Sequence, residues 1–443
     1  MFYAKFIGRK ENKNTMEALM KKAFIVLLVS ALIFGCSLTD SLLAEDAAEY
    51  ISGDFSYSLL EDGTVEIAEY NSKSKDLIDL AIPNTLDGKL VTSIDERALL
   101  GYTKIENVII NEGLRHLAGN PFYGLESLSR ITVSPDHQYF ATIGGVLFQK
   151  PEKRLVCYPS KLSAESYEIP DGIKVIGKTS FFRNQYLKRL TIPNSVTVIE
   201  ESAFTNCSGL KNITLPNSIQ KIGDDAFFRC SALNSLSIPD SVSVIGDSAF
   251  AWCDSLLSVS IGLGIQQLGG NPFFGCAKLS RIDISTEHPY LEVLDDVLFT
   301  KPDRRLIFYP RTLSMNIYEI PHGTKIIGEG AFSNCNTLTS VIVPEGVTHI
   351  GVRAFVTCDA LTEIILPNGV QRIDDYAFLG CKNLASLSLP DSINFIGESA
   401  FGSEFSPCEK LVLTVGRESY AKEYAEMNNI PYAYPDSNDW LNN

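Results

Sequence analysis

The chain has 443 residues, 45% hydrophobic and 21% charged, a globular composition that by length alone allows two or three compact domains. Its formal net charge is −15; residues 1 to 22 carry six basic side chains (Lys5, Arg9, Lys10, Lys13, Lys21, Lys22) against Glu11 and Glu17, a net +4, so the remainder stands at −19. A body this acidic argues against nucleic acid as a partner and does not settle by itself on an anionic bilayer.

The first element is an uncharged apolar run from Ala23 to Gly35, preceded by Met20, Lys21 and Lys22. A basic n-region followed by an apolar h-region of this length predicts a signal peptide over residues 1–35, with the true start at Met20 as an alternative, and so an exported protein. Cys36 follows directly, and Leu32-Ile33-Phe34-Gly35-Cys36 resembles a bacterial lipobox, in which the cysteine is diacylated and becomes the new amino terminus; Phe34 departs from the small residue usual there. Conventional cleavage after Ala44 is the competing route. On the lipobox reading residues 36–49 are a linker, and membrane contact comes only through lipid at Cys36.

From residue 95 to 408 a fixed period organises the chain. An Ala-Phe pair recurs at Phe204, Phe227 and Phe250, then at Phe332, Phe355, Phe378 and Phe401, always 23 residues apart. Leu99, Phe122, Phe181 and Phe273 extend the same column, giving about eleven coils. Within one coil, Leu210, Ile213, Leu215, Ile219, Ile222 and Phe227 share an interior if two short strands flank a turn at Pro216. Proline recurs at that corner (Pro193, Pro239, Pro344, Pro367, Pro390), and glycine at the next bend (Gly223, Gly246, Gly328, Gly351, Gly397). The fold class expected is therefore a β-rich solenoid, in which each coil is stable only through its neighbours.

Two intervals are longer. Phe122 to Phe181 and Phe273 to Phe332 each span 59 residues, 36 more than the period, and the two units match at an offset of 151: Asn120-Pro121-Phe122 with Asn271-Pro272-Phe273, Val146-Leu147-Phe148 with Val297-Leu298-Phe299, Lys150-Pro151 with Lys301-Pro302. Strand-like runs around the Lys-Pro turn predict a β-hairpin projecting from each long coil, and the match points to duplication of a larger block.

The repeat Cys-x-x-Leu-x-x-Ile-x-Leu-Pro-x-Ser-Val-x-x-Ile-Gly-x-x-Ala-Phe resembles the BspA-type leucine-rich repeats of bacterial surface proteins. Residues 50–94, through Tyr57–Ile67 and Ile82-Pro83, resemble that family's opening β-cap; residues 409–443, through Ser419–Ala425 and Ile430-Pro431-Tyr432, resemble its closing helical cap and tail. The resemblance implies adhesion to host or neighbouring-cell proteins, and brings no binding residues with it.

Candidate chemistry is sparse. Ten cysteines suggest a disulfide framework in an exported protein. Yet Cys207, Cys230, Cys253, Cys276, Cys335, Cys358 and Cys381 all stand three after the column aromatic, as small buried hydrophobes do on a stacked coil. The histidines (His116, His137, His288, His322, His349) show no zinc spacing, and His137 matches His288 across the duplication. The acidic pairs Asp224-Asp225, Asp295-Asp296 and Asp374-Asp375 lack the spacing of a calcium loop and suit turns. No cofactor motif or nucleophile elbow is present, so no enzyme, metal or cofactor is expected.

Because strand side chains alternate, one residue per first strand must face outward: Ile109, Thr132, Thr191, Thr214, Ser237, Ser260, Asp283, Ile342, Ile365 and Ser388. Thr132, Thr191, Thr214, Ser237 and Ser260 form a hydroxyl run, and Ile342 with Ile365 an apolar anchor, of a candidate strip for a protein or cell-surface ligand. The competing readings are a structural envelope protein without a discrete ligand and, more distantly, an enzyme.

Overall fold

Every coil must satisfy its backbone polar groups through the next one, and it does so on three sides. The computed structural model describes residues 50–402, 408 and 410–435. First strands such as Arg189–Thr191 and Asn212–Thr214 pair in parallel, as do second strands such as Val198–Ile199 and Lys221–Ile222. The Ala-Phe turn makes a third ladder: Ser202, Phe204 and Asn206 donate their N–H groups to Asp224, Ala226 and Phe228 of the next coil at 2.7–2.8 Å, while Ala203, Thr205 and Cys207 bond locally. This alternation requires left-handed backbone two residues before and after the phenylalanine, at Ser202 (φ 54°) and Asn206 (φ 62°), and elsewhere even at Arg229 and Trp252. Each such side chain costs about 1–2 kcal/mol, offset by the ladder bonds.

Inside, Leu210, Ile213, Leu215, Ile219, Ile222 and Phe227 are all buried, as the periodicity requires. The phenylalanines stack face to face, Phe227 at 4.8 Å from Phe204 and 5.2 Å from Phe250. The glycine after the second strand permits this spacing: a Cβ at Gly246 would run into the backbone nitrogen and carboxylate of Asp224 one coil back.

The long units differ from expectation in two ways. Each contains an additional coil, because Tyr158 stacks on Phe181 at 5.0 Å and Tyr309 lies 5.1 Å from Phe332, both one period before a column phenylalanine. The hairpins form, but they do not project. Phe140–Ile143, Val146–Gln149 and Arg154–Cys157 pair antiparallel, and the last strand then continues in parallel with Val175–Ile176, so the hairpin is the first part of the second-strand sheet. Leu291–Leu294, Val297–Thr300 and Arg305–Phe308 repeat this, in the same register and with a bulge at the same place.

All four residues of each middle strand are buried. Leu147 joins the amino-terminal core while Val146 and Phe148 join the middle one. Leu298 likewise joins the middle core while Val297 and Phe299 join the carboxy-terminal one. The hairpins are partitions between three large cores, and a fourth, small cluster of Phe228, Ala251, Phe274, Val356 and Leu379 joins residues from either side of the second hairpin. Their uninterrupted Val-Leu-Phe runs carry this information, since a strand buried on both faces loses its alternation.

A histidine fastens each partition. His288 Nδ1 accepts the N–H groups of Tyr290 and Leu291, both at 3.0 Å, so its proton lies on Nε2, 3.1 Å from the Gly262 carbonyl; Lys301 donates to the His288 carbonyl. Burial holds the His288 imidazole below its ordinary pKa, in the neutral state this clip needs. His137 makes the same bonds to Tyr139, Phe140 and Asn111.

The cysteine column is buried, and Cys408 extends it past the seven positions visible in the repeat. Sγ of Cys207, Cys230, Cys253 and Cys276 lies 3.0–3.3 Å from the carbonyl of the previous coil's phenylalanine. All nine cysteines among the described residues are free. Burial pushes the Cys408 thiol up to about 11 and Cys157 to about 12. Since the thiolate is the reactive form, native protein is expected to label slowly with a thiol reagent and denatured protein rapidly. Non-reducing peptide mapping that found bridges between neighbouring coils would contradict the free-thiol column.

The ends are sealed differently. Tyr50–Ser52, Phe55–Leu59 and Val65–Tyr70 form an antiparallel sheet, which Lys89–Ile94 continues in parallel into the strand His116–Leu117. At the other end helix α1 (Tyr420–Met427), capped by the Ser419 side chain, buries Ala421, Tyr424 and Ala425. Tyr424 packs edge-on to Phe401 and donates its hydroxyl to the Gly397 carbonyl at 3.2 Å.

Candidate binding face

The first strands present two outward columns. In Arg189–Thr191 and Asn212–Thr214 the burial alternates exposed, buried, exposed, which leaves Arg189, Thr191, Asn212 and Thr214 on the surface. Thr132, Ser237, Ile365 and Ser388 are exposed in the same way, and Ser260 and Ile342 are half-buried.

These residues do not form one continuous ladder. Thr132 is in register with Ile109 and Ala81, whereas Thr191 has Thr214 on one side and Glu168 on the other. Glu168 and its counterpart Glu319 occupy the strip in the coils headed by Tyr158 and Tyr309, and periodicity counted on phenylalanine alone misses both. The signal was present: Tyr167-Glu168-Ile169-Pro170 has the pattern of Leu190-Thr191-Ile192-Pro193 one period later. Glu168 thus interrupts the hydroxyl run between Thr132 and Thr191.

What the structure does bring together is two patches. Ser260 donates to Ser237 at 3.0 Å, and these two line an open depression with Thr214 and Asp240. Further along, Ile342 is in register with Ile365, and Ile317 stands on the strand next to Ile342. Ile342 and Ile365 are therefore the apolar pair of this column, with Glu319 in register on the other side of Ile342, while Ile317, 57% exposed, stands in the neighbouring column in register with Ser340 and Glu363.

The acidic pairs have structural work. Asp224 Oδ1 accepts the N–H of Asp247 at 2.8 Å, Asp247 that of Gly270 at 2.6 Å and Asp375 that of Glu398 at 2.8 Å, each pinning one coil to the next. Asp295 and Asp296, with φ of 50° and 64°, make the hairpin turn that Gly144 and Gly145 make in the first copy. Among the described residues no group of three or more His, Cys, Asp or Glu side chains is placed to hold a metal ion.

Asp225 is the strained member. Burial first, then Asp224, Glu201, Asp247 and Glu329, push its carboxyl up to about 7, and its Oδ1 has no hydrogen-bond partner. The folded protein therefore holds a proton that the unfolded chain has released above about pH 4, so Asp225 costs stability increasingly from about pH 4 to about pH 7. Asp225→Asn is expected to raise the urea midpoint at pH 8 and leave it near the parent value at pH 4; an equal effect at both pH values would contradict this.

Residues 65–154, 154–280 and 306–416 match the family model of the BspA type leucine rich repeat region, in six copies. The chain belongs to the BspA-type leucine-rich repeat family. This BspA-type solenoid is similar to a leucine rich cell surface protein from Faecalibacterium prausnitzii, at 25% identity over 91% of this chain and 98% of that one, with a TM-score of 0.55. It also matches the pneumococcal vaccine antigen PcpA, at 18% identity over 89% of this chain and 100% of that one, TM-score 0.41. A leucine-rich repeat protein from Bacteroides ovatus matches at 21% identity over 87% and 99%, TM-score 0.32. No curated protein matches. The family is one of bacterial surface proteins, consistent with a protein-interaction role. Among the described residues no helix is long and apolar enough to cross a membrane. Residues 1–49, with the expected signal peptide and Cys36, lie outside the described residues.

Proposed function

We propose that this BspA-type protein is exported, held at the cell surface by lipid on Cys36, and binds a host or neighbouring-cell protein through its first-strand face, without catalysis. The observation that carries the reading is the outward pair Ile342 and Ile365, in register on neighbouring first strands, with Ile317 exposed on the strand before them. Burying an exposed isoleucine of this kind contributes about 1.5–3 kcal/mol, and the fold does not need it there, since Thr191, Ser237 and Ser388 fill equivalent positions. Strips of this sort bind through a few anchors surrounded by polar contacts.

The domain division follows the same reading: residues 50–94 and 409–443 close the ends, and 95–408 carry the face. Export and anchoring rest on the charge-free segment that ends in Gly35-Cys36. Cys36→Ala is expected to release the protein from membranes with the solenoid folded; a mature amino terminus at Glu45 would sink the lipid anchor. For binding, immobilised protein should retain a saturable partner from host matrix or envelope extract, and Ile342→Glu/Ile365→Glu should lose it. Retention by the double variant, or only dispersed weak contacts, would favour a structural envelope role.

A further inference from the structure

The duplicated block provides an internal control. Its two copies share strand register, bulge and histidine clip, so an exposed position where they differ is one that the hairpin unit does not dictate. One group of such positions clusters in space. In the first copy Tyr123, Glu126, Lys161, Arg183, Gln185 and Tyr186 line a half-open cleft of ≈ 360 Å³ along successive turns of the solenoid. At the offset of 151 the second copy has Phe274, Ala277, Thr312, Asn334, Asn336 and Thr337, and Ser160 of the cleft becomes Arg311. The second copy thus keeps a ring at Phe274 and amides at Asn334 and Asn336, and lacks counterparts of Glu126, Lys161 and Tyr186.

We propose that this cleft binds a saccharide bearing a carboxylate, independently of the first-strand face. Its volume lies at the lower end of the range for small-ligand sites, roughly 300–1,000 Å³, which suits a sugar unit and not a long chain or a protein surface. Most of the lining is polar, and Gln185, with Asn206 and Ser208 at one end, can donate and accept at once, as the hydroxyls of a sugar also do. Tyr186 is 40% exposed, and its ring is a flat amphipathic plate for the C–H face of a sugar ring. Tyr123 is held by an edge-on contact with Phe182 at 5.4 Å.

The charges select among sugars. Arg183 is already paired with Glu126, whereas the Lys161 ammonium has no acidic partner among the described residues. Lys161 is exposed at the cleft, and a carboxylate on a ligand bound there would accept a charge-assisted hydrogen bond from it. A single acidic sugar is compatible with a body of high negative charge, where a polyanion is not.

The test is calorimetric titration of the purified protein with D-glucuronic acid and N-acetylneuraminic acid, against D-glucose and acetyl-trialanine with a free carboxylate. Saturable binding of an acidic sugar is expected, weakened roughly tenfold or more for glucose and for Lys161→Gln. Ser160→Arg, which installs the side chain of the second copy, should abolish binding, with the urea midpoint lowered only by loss of the Ser160 hydroxyl bond to the Leu125 carbonyl at 2.9 Å; Tyr186→Ala, which leaves that bond in place, serves as the second variant. No saturable binding of either acid, equal binding of glucose, binding that survives Lys161→Gln together with the cleft-filling variant, or binding of the peptide alone would each overturn the assignment.

Discussion

Phe227→Ala is expected to cost about 3–5 kcal/mol, the range for truncating a fully buried aromatic when the site cannot collapse. It cannot collapse here, because the ring lies between Phe204 and Phe250 and the backbone on its third side is locked by Phe227 N–H to Ala249 and Phe204 N–H to Ala226, both at 2.7 Å. Leu99→Ala, in the same column beside the amino-terminal cap, removes less volume and no stacking, so its loss should be smaller. The partitions add a spatial expectation: opening caused by Phe227→Ala should be concentrated in the middle core, between Val146 and Phe308, and amides of the other two cores should keep more of their protection from exchange. Urea midpoints and residue-resolved hydrogen exchange check both points. Equal losses for the two substitutions, or uniform loss of protection, would contradict the stacked and partitioned interior.

Deleting the chain from Ser419 is expected to have the other large effect. Helix α1 covers the end of the carboxy-terminal core, and Tyr432–Ala433 pairs in parallel with Val412–Thr414. Without them the buried Phe401, Leu413 and Val415 face water, and a first-strand edge stands open to pair with another chain. The truncated protein should therefore self-associate at concentrations where the parent is monodisperse, with strand content by circular dichroism little changed. A soluble monomer with unchanged stability would show that the cap is dispensable.

How much of this was legible in the sequence depends on how often each feature is repeated. Phe204, Phe227 and Phe250 announce the interior because the same demand recurs every coil, and the outward direction of Thr214 or Ile365 follows from strand alternation alone. Tyr158 and Tyr309 escaped because a tyrosine preceded by Cys157 or Phe308 does not look like an Ala-Phe pair, although it fills the same space; with them went Glu168 and Glu319. The hairpins were found but misplaced. Val146-Leu147-Phe148 has no polar face, and that is the mark of a strand with a core on either side, whereas a projecting hairpin would need one. The cleft of Lys161 and Tyr186 was invisible for a different reason: its residues come from four separate turns and share no period. The binding strip remains a matter of side-chain choice on a scaffold that accepts many, so periodicity locates the face and does not identify what meets it.

Recognition on the first-strand face is tested by a comparison of affinities. With a partner obtained by the parent protein, the Kd is measured for the parent, for Ile342→Glu/Ile365→Glu on the face, and for Lys221→Glu on the second-strand side. The account predicts at least a roughly hundredfold loss for the double variant, the weight of two anchor side chains, and a near-parental Kd for Lys221→Glu. Equal affinities for all three, or a loss confined to Lys221→Glu, would place recognition elsewhere on the solenoid and contradict the account.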